Sequence, residues 1–93
     1  MGSRRVYSAY KRLVEDLGLK QLDVYRGARG GKVSDKVRIY DPSSGKVALI
    51  DMGGPRESFS PKEFVERLVQ RLKESGITVS ERSLKRVLER LES

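Results

Sequence analysis

The sequence contains no cysteine, no histidine and no tryptophan. Without cysteine the chain can form neither a disulfide nor a thiolate metal site. Without histidine it lacks the commonest metal ligand and the usual general base of enzymes. We therefore predict that the protein is not an enzyme and that it holds no cofactor and no metal.

Thermolabile amides and long apolar runs are also scarce. Asparagine is absent, glutamine occurs only at Gln21 and Gln70, and charged residues make up 35% of the chain, a combination typical of thermophile proteins. No stretch approaches the roughly 20 apolar residues of a membrane span. The N-terminal MGSRRVYSAYKR has no apolar signal-peptide core. We expect a soluble cytoplasmic protein that does not enter a membrane and that could associate with the nucleoid.

Positive charge is what the chain has in excess. Its 93 residues suit a single domain, predicted over 1–93, and its formal net charge is +7. Residues 1–34 carry eight Lys or Arg against three Asp or Glu, whereas residues 35–60 carry four of each. Such a basic protein favours an anionic partner, nucleic acid before an anionic membrane, and the N-terminal third is the expected contact region.

Apolar periodicity predicts the element order α-β-β-β-α-α. Helical spacing over residues 6–17 indicates the first helix, and alternation around 22–25 and 36–40 indicates two strands. The run KVALIDM, residues 46–52, is more continuously apolar, so we expect a third strand that is central or covered on both faces. Ser60, Pro61 and Glu63 predict a capping box for a helix at 61–75, and Ser80 predicts the cap of a last helix at 80–92.

These amphipathic helices need an apolar sheet face to cover. We therefore predict an α+β fold with a small antiparallel sheet of three or four strands and helices packed on one face. If Leu22 and Val24 face the core, as do Val37 and Ile39, strand alternation directs their neighbours to the other face. Those neighbours are Tyr25, Lys36, Arg38 and Tyr40. The alternative is that the tyrosines are ordinary strand residues, since tyrosine has a high β propensity.

Exposed tyrosines beside cations are suited to single-stranded nucleic acid. Bases stack on aromatic rings for about 1–3 kcal/mol each while cations contact phosphates. The glycine-rich segment 27–32 would add cations and backbone amides, unless it is only a solvated hairpin tip. The first helix adds a basic face, although charged helix faces are often merely solvated. The predicted nucleic-acid-binding residues are Arg4, Arg5, Tyr7, Arg12, Tyr25, Arg26, Arg29, Lys32, Lys36, Arg38 and Tyr40.

Two segments within residues 4–75 carry a family resemblance. RRVYSAYKRLVEDL and LDVYRGARGGKVSDKVRIYDPSSGKVALIDM resemble the small single-stranded DNA-binding proteins of thermophilic archaea, the ThermoDBP family and its shorter relatives. The resemblance implies a small sheet packed with helices and a basic cleft containing apolar and aromatic side chains. It also implies strand contacts from Tyr25, Arg26, Arg29, Lys32, Arg38 and Tyr40, with Arg5 and Arg12 nearby.

Longer members of that family dimerise through a C-terminal leucine zipper. Here the corresponding apolar stripe covers only about two helical turns, which is too short for a free-standing coiled coil. We expect residues 79–92 to form a helix that packs on the domain or on a partner. A homodimer would form through Leu84, Val87, Leu88 and Leu91.

Two other classes of function stay open beside single-stranded DNA or RNA binding. The helices at 61–75 and 80–92 resemble a helix-turn-helix regulator of duplex DNA, with Ser80, Arg82, Ser83, Lys85 and Arg86 on the recognition helix. A structural subunit of a ribonucleoprotein or replication complex is the other alternative. A magnesium nuclease using Asp23, Asp35, Asp41 and Asp51 is disfavoured because no Asp-x-Asp or Glu-x-Lys pairing accompanies them.

Overall fold

The structure is a computed structural model that describes the backbone of residues 3–92 and the side chains of residues 8–28 and 30–92. The chain has an α+β fold in the predicted order α-β-β-β-α-α. The described part contains three strands, three α-helices and one short 3₁₀ helix. They are α1 (Ser3–Asp16), β1 (Lys20–Arg29), β2 (Lys32–Asp41), β3 (Lys46–Asp51), a short 3₁₀ helix (Arg56–Ser58), α2 (Pro61–Glu74) and α3 (Glu81–Glu92).

The three strands form one antiparallel sheet in the order β1-β2-β3. Val37 and Ile39 are fully buried, as strand alternation predicts, and Val24 packs against the same core. Leu22, however, is 43% exposed. The register of β1 against β2 shifts between Gln21 and Asp23, so Leu22 lies in a bulge, where the two-residue period is interrupted. The prediction that Leu22 faces the core is therefore wrong.

The core lies between one sheet face and the helices. Phe64, Leu68 and Leu72 of α2 are completely buried there, together with Val14 of α1. Tyr10 packs its ring on Phe64 with the ring centroids 4.8 Å apart. The Tyr10 hydroxyl donates a hydrogen bond of 2.7 Å to the carbonyl of Phe59, and burial raises its pKa. The apolar stripes of the helices thus cover one face of the sheet, as predicted.

Both C-terminal helices begin where their caps were predicted. The Ser60 hydroxyl accepts from the Glu63 amide, and the Glu63 carboxylate accepts from the Ser60 amide, which completes the capping box. The Ser80 hydroxyl accepts from the Ser83 amide at 3.1 Å and caps α3. Among the described helices, none combines the length and the apolar character needed to cross a membrane.

β3 differs most from its expected position. It pairs with β2 alone and forms an edge of the described sheet. Val47 and Leu49 are 54% and 52% exposed on the face away from the helices, so the expectation of a central or doubly covered strand is wrong. After β3 the chain passes through Gly53-Gly54 into the helical layer, which covers only the inner face of the sheet. The outer face of β3 therefore stays uncovered.

Candidate nucleic-acid interface

The face of the sheet that the helices leave uncovered combines rings, aliphatic side chains and charges. We call it the open face. Cross-strand pairing arranges it in three rows, because side chains of paired residues point the same way. The rows are Tyr25–Lys36–Asp51, Asp23–Arg38–Leu49 and Lys20–Tyr40–Val47.

Tyr25 and Tyr40 lie at opposite ends of the open face. Tyr25 is 51% exposed, whereas Tyr40 is half-buried between Lys20 and Val47, its partners on the flanking strands. Tyr40 is four residues from Lys36, the cross-strand partner of Tyr25. Strand geometry therefore separates the two tyrosine Cα atoms by about 14 Å. Each ring can stack a different base, and a bound strand must span the distance between them.

The two predicted cations of the open face differ in whether a carboxylate is bound to them. Lys36 is exposed and forms no salt bridge with any carboxylate that the structure describes. Arg38 is bound to Asp23 through two hydrogen bonds, the one from Nε being 3.0 Å long, and these bonds raise the pKa of Arg38. Lys36 is thus available to a phosphate at once, whereas a phosphate on Arg38 has to compete with Asp23.

Arg26 is not on the open face, although it belongs to the predicted site. Its side chain points to the helical side and makes a bidentate contact with the fully buried Asp35, at 2.7 Å from Nε and 3.0 Å from Nη2. It also contacts Glu57. The Arg56 backbone amide and Nε each donate to Asp35 at 2.9 Å. Arg26 is therefore part of an ion-pair network that joins the hairpin to the 3₁₀ helix.

The charges of this network fix the ionisation of Asp35. Burial alone would raise the pKa of this carboxyl. Hydrogen bonds from the Arg26 side chain and from the backbone and side chain of Arg56 outweigh burial and lower the pKa to about 2. Asp35 is consequently an anion at neutral pH that is fully engaged inside the protein.

The segment 27–32 forms a tight hairpin, and its contact with phosphate stays a prediction. β1 and β2 continue through it, with Ala28 opposite Val33, and only Gly30 and Gly31 form the turn. Lys32 is exposed beside this turn. The side chain of Arg29 lies outside the described residues.

The predicted residues on α1 belong to the other layer of the molecule. α1 packs on the helical side of the sheet, and Arg12 is exposed there. The side chains of Arg4, Arg5 and Tyr7 lie outside the described residues. The structure therefore brings Tyr25, Lys36, Arg38 and Tyr40 together on one surface, and it places α1 on the opposite side of the sheet.

Five residues of the open face were not among the predicted binding residues: Lys20, Asp23, Val47, Leu49 and Asp51. Val47 and Leu49 alternate with the inward-facing Ala48 and Ile50. Because both faces of this run are apolar, the sequence shows no alternation of polar and apolar residues that would mark one face as exposed. Lys20 pairs with Tyr40 only because the bulge shifts the register, which no local signal reveals.

The four aspartates considered for metal binding all have structural roles. Asp41 accepts hydrogen bonds from the hydroxyls of Ser43 and Ser44 in the β2–β3 turn, and Asp51 accepts from the Gly53 amide. Asp23 and Asp35 are paired with arginines. No group of three potential metal ligands occurs among the described residues.

The C-terminal helix pair lacks the compact turn of a helix-turn-helix. Six residues separate α2 from α3, whereas that motif joins its helices with three or four.

The apolar stripe of α3 packs on the domain. Val87 is buried in the core, and three partly buried leucines of α3 pack against that core: Leu84, Leu88 and Leu91. The α3 stripe thus serves the fold of its own chain, and dimerisation through the leucines stays a prediction.

Comparisons of the chain with protein-family models, with curated protein sequences and with solved structures found no match. The function is accordingly inferred from the chemistry and geometry of the open face.

Proposed function

We propose that this chain binds single-stranded nucleic acid, in the first place single-stranded DNA, across the open face with little sequence preference. The observation that carries the proposal is a half-exposed Tyr25 in one row with Lys36, which is exposed and makes no salt bridge to a described carboxylate, on a sheet face that the described helices leave uncovered. A ring offers a stacking surface to any unpaired base, and a lysine offers its charge to the adjoining phosphate.

Val47 and Leu49 extend this surface with aliphatic area. They flank Tyr40 and Arg38 across the β2–β3 pair, so sugars and base edges would contact apolar atoms there. Stacking on a ring and contact with aliphatic side chains do not depend on which base is present, which favours binding without sequence preference. The α+β layout is the one that the archaeal DNA-binding family would imply. The proposal therefore includes membership of that family, a thermophilic source and a cytoplasmic or nucleoid location.

Replacing Tyr25 tests the stacking contribution. Tyr25→Ala should weaken binding of a fluorescein-labelled oligo-dT by about 1–3 kcal/mol, because one stacked base is lost. The fold should persist, since the ring is half in solvent. Tyr25→Phe keeps the ring and is the matched control, with affinity close to wild type. Fluorescence anisotropy measures binding and circular dichroism checks folding. An unchanged affinity of folded Tyr25→Ala would contradict the proposal.

The exposed Val47 and Leu49 also support a second candidate, a structural subunit that docks on a protein of a ribonucleoprotein or replication complex. Apolar side chains beside an open sheet edge are typical of strand-addition interfaces. In that case the isolated chain would bind oligo-dT weakly, and Val47→Lys would abolish partner binding while Tyr25→Ala would not. The same anisotropy titration thus distinguishes the two candidates.

A further inference from the structure

A groove of about 640 Å³ runs along α2 on the helical side of the molecule. Arg67, Gln70 and Arg71 line it together with Phe59. The groove begins where the chain leaves β3, because Gly53 lies against the two arginines. It is separate from the open face.

The guanidinium groups of Arg67 and Arg71 converge at Gly53. A Cβ atom on Gly53 would lie 3.0 Å from Arg67 Nη1 and 3.5 Å from Arg71 Nη2. The two nitrogens are therefore no farther apart than the sum of these distances. One tetrahedral anion could accept hydrogen bonds from both, and guanidinium–phosphate pairs are among the strong hydrogen bonds of proteins.

Neither guanidinium has a salt bridge to a carboxylate within the described part of the chain. Like charges four residues apart on a helix repel each other. Arg67 is held over the Phe59 ring, with Cζ 5.1 Å from the ring centroid, and Arg71 is half-buried. Hydrogen bonds from Ser60 lower the pKa of Glu63, and the charge of Arg67 helps to lower it further. The two guanidinium groups are thus brought together with no described carboxylate at salt-bridge distance from either.

The carboxylates near the groove limit what it can hold. Glu63 is occupied by the capping box, and Glu66 and Glu74 are exposed along the same helix. Their charge would repel a second and a third phosphate. The site suits a single phosphate group.

We propose that Arg67 and Arg71 form a phosphate site that receives one backbone phosphate of the strand bound to the open face. The identity of the ligand rests on the proposed function, whereas the site itself does not. Asp51 ends the row that begins with Tyr25 and lies two residues before Gly53. A strand that spans Tyr40 and Tyr25 and leaves the open face at this end, past Asp51 and over β3, would arrive at the groove.

The test uses the full chain labelled with ¹⁵N and two probes, inorganic phosphate and oligo-dT. Phosphate should shift the Gly53 amide and the Arg67 and Arg71 Nε resonances, and Arg71→Gln should abolish these shifts. Lys73→Gln removes the same charge from an exposed position of α2 and should leave them intact. For oligo-dT, Arg71→Gln should weaken binding several-fold and reduce the log–log salt slope by about 1, whereas Lys73→Gln should leave the slope unchanged.

The possible failures are distinguishable. Absence of phosphate shifts at Gly53, or equal shifts around Lys73, would overturn the site. A second outcome is that phosphate shifts these resonances in the wild type, but Arg71→Gln leaves the oligo-dT affinity unchanged. That outcome would overturn the strand path and assign the site to a free phosphate compound. Failure of the open face itself would appear differently, because Tyr25→Ala would then leave oligo-dT affinity unchanged while inorganic phosphate still shifts the Gly53, Arg67 and Arg71 resonances.

Discussion

Asp35 shows how one residue decides between two roles for an arginine. From the sequence, Arg26 is one of several cations near Tyr25, and strand alternation alone leaves its partner unknown. In the structure the fully buried Asp35 engages it with two hydrogen bonds, and Arg56 adds two more from the 3₁₀ helix. A contact over 21 residues between Asp35 and Arg56 has no local sequence signal. We therefore infer a structural role for Arg26.

Asp35→Asn should destabilise the protein by about 3 kcal/mol, because it removes the charge that balances a buried arginine. Asp23→Asn is the matched control. It breaks an ion pair whose side chains are 44% and 33% exposed, and such surface pairs contribute less than about 1 kcal/mol. Urea denaturation of the three proteins measures the difference.

The pH dependence of stability gives an independent check on Asp35. The folded-state pKa of about 2 lies below the ordinary aspartate value. The stabilisation is therefore fully present above about pH 4 and is lost as the pH falls towards 2. Asp35→Asn should flatten the stability profile in that window, whereas Asp23→Asn should keep most of its slope. Equal slopes in wild type and Asp35→Asn would contradict the network.

At the scale of elements, the features marked by local chemistry could be predicted and those set by pairing could not. The caps at Ser60 and Ser80 follow from side-chain hydrogen bonds within four residues. Burial of Val37 and Ile39 follows from the period of a strand. The bulge at Leu22 and the edge position of β3 depend on which strands pair and in what register, and these are non-local properties.

The pairing of β1 with β2 up to the hairpin tip is also non-local. The sequence does not reveal it, because three glycines within residues 27–32 resemble a flexible loop. Gly30 and Gly31 have φ values of 58° and 79°, the backbone pattern of a two-residue type I′ turn. Replacing both with alanine should cost about 1–2 kcal/mol per residue. Since Ala28 and Val33 are exposed, the loss should be local, with faster amide exchange near the tip and little change in global unfolding.

Gly30→Asn with Gly31 retained is the control for that experiment. Asn-Gly is a preferred sequence of the type I′ turn, so its exchange rates should match wild type. Hydrogen exchange followed by NMR resolves the tip amides from those of the core strands. Unaltered exchange in the double alanine variant would show that the turn does not depend on left-handed backbone.

Across the whole molecule, the predicted binding residues separate into two layers. Composition could identify the excess of positive charge in residues 1–34, but it could not show that α1 and the open face lie on opposite sides of the sheet. It also could not show that Asp23 and Asp35 engage Arg38 and Arg26. The open face is thus less basic and more aliphatic than the sequence alone suggests, so stacking and apolar contact should contribute a larger share of its affinity.

This balance leads to a prediction about the form of nucleic acid that binds. Rings on a sheet reach bases only when these are unpaired, so oligo-dT should compete far better than a duplex of equal length. With three to five phosphates contacted, the log–log salt slope should lie at roughly −2 to −3.5. Arg82→Gln and Arg86→Gln on α3 provide the control, since a helix-turn-helix would need them and the open face would not. Equal competition by duplex, with loss of binding in the α3 variants, would transfer the function from the sheet to the helices.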